Sequence, residues 1–210
     1  AGLLDVKNAA QHRGWAVAAA ALLLAAAALR VAGLFEGLAE PVFYHPDATK
    51  QIVAAENFMR GKHVWYVGNL YYDGYPLFLN HVDAWIVAPL DRAFHAAASW
   101  AGAVSEPYAF PDRAALAAWL RSLRVVYALL VIWMTLLLGR RLTGRSAPAF
   151  FAAAVVALSP LHLVSSHAAT GDIGVDLFLL AMCLALSRDR GAGGPGPAAA
   201  WIAAGVFLAL

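Results

Sequence analysis

The sequence predicts an all-α fold: a polytopic transmembrane helix bundle with a long outer loop that carries interfacial helices. Three observations predict it. Hydrophobic residues make up 62% and charged residues 13% of the 210 residues, and mean hydropathy is +0.65. Soluble domains carry about 45–50% apolar and about 25% charged residues, so a water-soluble fold of this length cannot hide the surplus, which belongs against lipid. Apolar runs near span length recur along the chain. Basic residues cluster between those runs so that one orientation satisfies all of them.

The first span is expected over residues 15–34, rich in Ala and Leu and interrupted by Arg30. It is too long for a signal-peptide core and lacks a small-residue cleavage site, so it reads as a retained span. Arg30, late in that run, is expected to snorkel to the outer surface or to hold a lipid phosphate. Residues 35–120 then form the outer loop. Within it, Asp47 opens a helical stretch over 48–60 with an apolar stripe of Ile52, Val53, Phe58 and Met59, stopped by Gly61.

Residues 76–90 are apolar but short, with Asn80, His81 and Asp83 near the middle. A charge at mid-bilayer costs roughly 2.5–3.5 kcal/mol on insertion scales. The segment is therefore read as a helix on the outer interface, at the depth that suits Trp65, Tyr66, Tyr71, Tyr72, Tyr75, Phe78 and Trp85. Further spans follow over 123–138, 148–164 and 173–186, and an unfinished one over 198–210. A start at Ala1 without Met and a stop inside an apolar run read as cuts. The whole of 1–210 is expected to be the N-terminal part of a longer transmembrane domain.

Orientation follows from three basic clusters. Lys7 and Arg13 precede the first span, Arg140, Arg141 and Arg145 separate the second and third, and Arg188 and Arg190 follow the fourth, in a linker whose Gly/Pro-rich part is 191–197. All three fall on one side, which the positive-inside rule makes cytoplasmic. The net charge of +2 does not point to nucleic acid. The single cysteine, Cys183, excludes an internal disulfide and a cysteine-based metal site. The Ala-, Gly- and Arg-rich composition fits a GC-rich bacterial genome, hence a bacterial plasma membrane.

This topology puts a set of acids at the outer face. Asp47 reads both as a helix N-cap and as a carboxylate able to take a proton from an acceptor. Asp172 lies where the chain re-enters the membrane, and Asp176 one helical turn later. Carboxylates at i and i+4 share a face and repel, and ionisable residues at membrane depth default to a functional reading. The plain alternative makes Asp172 an N-cap, with Asp176 facing a wet cavity. Asp73 is a third acid, and His45, His81 and His167 share the same side.

The motif His45-Pro46-Asp47 after a first span, followed by a helix ending in Arg60-Gly61, resembles the first outer loop of GT-C superfamily glycosyltransferases. More narrowly, it is similar to the branch holding lipid A aminoarabinose transferases and protein O-mannosyltransferases. Tyr72-Asp73-Gly74-Tyr75-Pro76-Leu77-Phe78 is similar to that branch's aromatic-acid-Lys-Pro motif, with Gly74 in place of the Lys. The stretch from Leu138 to Arg145 resembles its cytoplasmic turn. Leu158-Ser159-Pro160, Ser165-Ser166-His167 and Asp172 resemble its next outer turn, with His167 where Arg is common.

The resemblance implies a transferase that moves a sugar from a polyprenyl-phosphate carrier to a lipid, glycan or protein acceptor at the outer face. It implies Asp47 as catalytic base with Asp172 supporting the same site, and Asp73 with Asp172 as candidate ligands of a divalent metal. His45, Tyr72, Tyr75, Arg30 and His167 are the candidate substrate-binding residues. The alternative class is a non-enzymatic transporter or membrane assembly subunit whose intramembrane acids handle protons or cations.

Overall fold

A computed structural model of the chain describes residues 2–35, 46–60, 77–102 and 113–187. All regular structure among them is helical, with no strand. In chain order the helices are α1 (Gly2–Ala32), α2 (Pro46–Met59), α3 (Leu77–Trp100), α4 (Arg113–Thr143), α5 (Ser146–Leu158), α6 (Pro160–His167) and α7 (Asp172–Leu186). Two of them are long and apolar enough to cross a membrane: the Gly14–Ala32 part of α1, and α4. A third span results if the bent pair α5 and α6 counts as one. The unfinished span over 198–210 and the linker 191–197 lie outside the described residues.

The helix α4 is the axis of the molecule. Its 31 residues rise about 46 Å at 1.5 Å each, against roughly 30 Å of hydrocarbon. Only its C-terminal part was expected, as 123–138. The extra length is made of helix-favouring Ala and Leu, and it buries its face against protein. Leu116, Ala117 and Leu120 pack with Ile52 and Ala55 of α2 and Ala84 and Val87 of α3. What the sequence marked as an outer loop is thus, in its described parts, two helices clamped onto an extension of α4.

The helix α3 starts at the position expected for the interfacial helix but runs ten residues past its expected end, with Pro89 inside. Its inner face carries Asp83, Ala84, Val87, Ala88 and Asp91, all buried. Its outer face carries Trp85, Leu90 and Phe94, all exposed.

Below this cap, α1, α4 and α5 share an alanine-rich core of Ala19, Ala26, Ile132, Leu136, Ala153 and Ala157. Small residues let helix backbones approach closely where lipid supplies no hydrophobic drive between helices. One close backbone approach is at Gly139 of α4, where a Cβ would stand 2.9 Å from the Ala149 Cα of α5. The α4–α5 connection turns on Gly144, at φ +66°, whose N–H closes on the Arg140 carbonyl at 2.9 Å, a left-handed helix stop that suits glycine.

The span expected over 148–164 is not continuous. The α5 helix ends at Leu158, α6 begins at Pro160, and the two meet at 54°. The cause is local. Proline has no N–H and its ring pushes the preceding residue out of the helical region. Ser159 is accordingly extended at φ −60°, ψ 122°, and its Oγ accepts from the His162 N–H, capping α6.

Candidate functional site

The two ends of the bundle differ in chemistry. At one end, Arg140 lies over the Trp15 ring and Arg141 donates to the Leu184 carbonyl at the close of α7. At the other end lie the α5–α6 bend, the end of α1 and the start of α7. Most polar side chains buried among the described residues belong to this second end or to the cap above it.

Arg30 is completely buried there, which overturns the expected snorkelling. The bend explains why. Breaking the helix at Pro160 leaves carbonyls of the last turn of α5 without helical donors. Arg30 Nη1 and Nη2 both donate to the Ala157 carbonyl at 3.3 Å, and Nη1 also donates to Ala26 of its own helix at 3.0 Å. A guanidinium at a helix C-terminus is also favoured by the helix dipole. Nη2 reaches the His162 Nδ1 at 2.7 Å. Arginine only donates, so Nδ1 accepts and the ring proton of a neutral His162 sits on Nε2. That Nε2 is buried and has no hydrogen-bond partner among the described residues.

His167 closes the same contact from the end of α6. A Cβ on Gly33 would come within 2.7 Å of the His167 ring, so α1 ends flush against the imidazole. Arg30 and His167 were both expected at the site, and the fold brings them to one α1–α6 contact.

Asp172 is the first residue of α7 rather than its cap. Gly171 takes the N-cap position without a side-chain bond, and Asp172 accepts from the Thr170 hydroxyl at 3.1 Å. Asp176 follows on the same face. Both acids line a groove of about 690 Å³ between α4, α5, α6 and α7. Its polar lining also includes Ser159, His162, Ser165 and Thr135, and the rest is largely aliphatic, with Val131, Val155, Leu179 and Leu180. Among the described residues Asp176 has no hydrogen-bond or salt-bridge partner, so the groove pairs an apolar wall with carboxylates that face no described cation.

A second buried cluster went unforeseen. Arg124 of α4 makes a forked ion pair with Asp83 of α3, with Nη1 to Oδ1 at 3.1 Å and Nη2 to Oδ2. The Tyr127 hydroxyl donates to the same Oδ1 at 3.0 Å. Both charges are almost wholly buried. Nearby, Arg121 donates to the Leu34 carbonyl at 3.2 Å, tying the end of α1 to α4. A signal for this cluster existed: arginines at the head of an apolar run require an anion, and Asp83 was the charge that kept 76–90 from reading as a span.

Asp47 is the second residue of α2, one place inside the helix, with Pro46 at the first position that proline favours. The Asp47 side chain lies outside the described residues, as do His45, Tyr72, Asp73 and Tyr75. Among the described residues no three His, Cys, Asp or Glu side chains converge as a metal site requires. No family model, curated protein or solved structure matches the chain.

Proposed function

We propose that the chain belongs to a polytopic membrane glycosyltransferase that takes a sugar from a polyprenyl-phosphate carrier and acts at the outer face. The observation that carries this reading is the groove: aliphatic walls for an isoprenoid chain, and Asp172, Asp176, His162 and Ser165 for a polar head. A nucleotide sugar is not present outside the cell, whereas a lipid carrier presents its sugar in the plane of the bilayer. The sequence motif at His45-Pro46-Asp47 supplies the carboxylate that acts as general base.

In the transfer, the acceptor oxygen or nitrogen bonds to the anomeric carbon as the carbon–oxygen bond to phosphate breaks. Asp47 takes the acceptor proton, and polyprenyl phosphate leaves with the electron pair. His162, its tautomer fixed by Arg30, lines the groove beside the two acids. A divalent ion held by Asp73 and Asp172 would neutralise leaving-group charge.

The test is transfer from labelled polyprenyl-phosphate sugars by membranes containing the full-length protein. Transfer should fall about a hundredfold in Asp47→Asn, the scale of a lost general base. Transfer unchanged in Asp47→Asn would sink the mechanism. The acids Asp172 and Asp176, which face no cation among the described residues, favour one rival, a transporter or assembly subunit that handles cations. Proton-coupled uptake into proteoliposomes, lost in Asp172→Asn, would decide for it.

A further inference from the structure

At the arginine end of the bundle, away from the groove, lies a second cleft of about 430 Å³ between α1 and α5. Trp15 and Ala18 form one wall, and Phe150, Phe151 and Ala154 the other. Phe151 is 71% exposed, so the cleft opens sideways, toward where lipid chains would run. Its rim is cationic. The Arg140 guanidinium stands 4.6 Å over the Trp15 ring, and Arg145 is exposed at the N-cap of α5. Arg145 provides no side-chain bond to that N-terminus, so the first amides of α5 and the positive end of its dipole face the rim. The Trp15 Nε1 is buried without a hydrogen-bond partner among the described residues.

Neither Arg140 nor Arg145 forms an ion pair among the described residues. Arg141 differs, because it is spent on the Leu184 carbonyl and the Ser187 hydroxyl. Carbon walls beside guanidinium groups that have no ion-pair partner among the described residues fit one occupant, an acyl chain with a phosphate at its head. A zwitterionic headgroup would set its ammonium against the arginines, whereas a purely anionic one meets only attraction.

We propose that this cleft is a binding site for an anionic phospholipid of the leaflet at the arginine end, with the chain between Trp15 and Phe151 and the phosphate under Arg140 and Arg145. The proposal rests on the reading of the chain as membrane-spanning and does not depend on glycosyl transfer.

The experiment is native mass spectrometry of the full-length protein in detergent, titrated with phosphatidylglycerol, phosphatidylcholine or inorganic phosphate. Phosphatidylglycerol should be retained about tenfold better than phosphatidylcholine, in keeping with two arginines near a phosphate. That preference should vanish in Arg140→Gln/Arg145→Gln and persist in Arg140→Lys/Arg145→Lys and in Arg141→Gln. Ala154→Phe, which fills the cleft and keeps every charge, should also abolish retention. Equal retention of both lipids, a preference surviving the double Gln variant, or inorganic phosphate displacing the lipid would overturn the site. A chain soluble without detergent would instead overturn the membrane reading beneath it.

Discussion

Arg30 and Arg124 are both buried to the last square ångström, yet their charges are compensated in different ways. Arg124 has a carboxylate, and removing one member of a buried pair leaves an uncompensated charge at a cost of about 3–5 kcal/mol. Asp83→Asn and Arg124→Met should each lower unfolding stability in detergent by that order. Asp83→Leu/Arg124→Met should recover most of the loss, because two apolar side chains leave no orphan charge. A double variant as unstable as the sum of its singles would rule out the pair as the source. Arg30 has no carboxylate among the described residues and rests on carbonyls and one imidazole nitrogen. Nitrogen-15 spectra should therefore show His162 protonated at Nε2 and bare at Nδ1, with that bias lost in Arg30→Met. A ring protonated at Nδ1 in the native protein would refute the assignment. Sequence reading singled out Arg30 but sent it to the surface, and it passed over Arg124 altogether. Hydropathy averages along the chain, whereas the partners that make a buried charge tolerable come from 41 and 132 residues away.

Among the helices, those legible in the sequence were those whose signal is local. The first apolar run and the start of α7 at Asp172 stand where hydropathy and an acid put them, whereas the turn expected from Gly139 comes only at Gly144, because α4 stays helical to Thr143. The first ten residues of α4 were hidden because Arg113 and Arg121 interrupt their apolar pattern, and their helicity depends on what α2 and α3 bring to them. The bend at Ser159 was half legible: Leu158-Ser159-Pro160 was marked as a turn while the span was still drawn through it. If proline alone enforces the bend, Pro160→Ala should let α5 continue. Spin labels at Phe151 and Val164, both exposed, should then move apart, and stability should fall as Arg30 loses the Ala157 carbonyl. Unchanged distances would mean that packing against α1, and not the missing N–H, sets the angle.

Across the molecule, like chemistry gathers at each end of the bundle. Trp15, Arg140, Arg141 and the close of α7 meet at one pole, and the bend, both α1–α6 contacts and the acids of α7 meet near the other. A bilayer would read that asymmetry as an orientation, since short basic connections stay on the cytoplasmic side. The acid-lined groove then opens near the outer leaflet, and the cleft under Arg140 faces the inner one. Both proposals therefore stand on a single geometric premise that labelling can test. With Cys183 replaced by Ala, Thr143→Cys in the exposed α4–α5 turn should react with a membrane-impermeant maleimide only after cells are opened. Ser99→Cys, on the exposed face of α3, should react in intact spheroplasts. The opposite pattern would turn the bundle over, leave the groove on the side where nucleotide sugars are present, and remove the reason to invoke a lipid-linked donor.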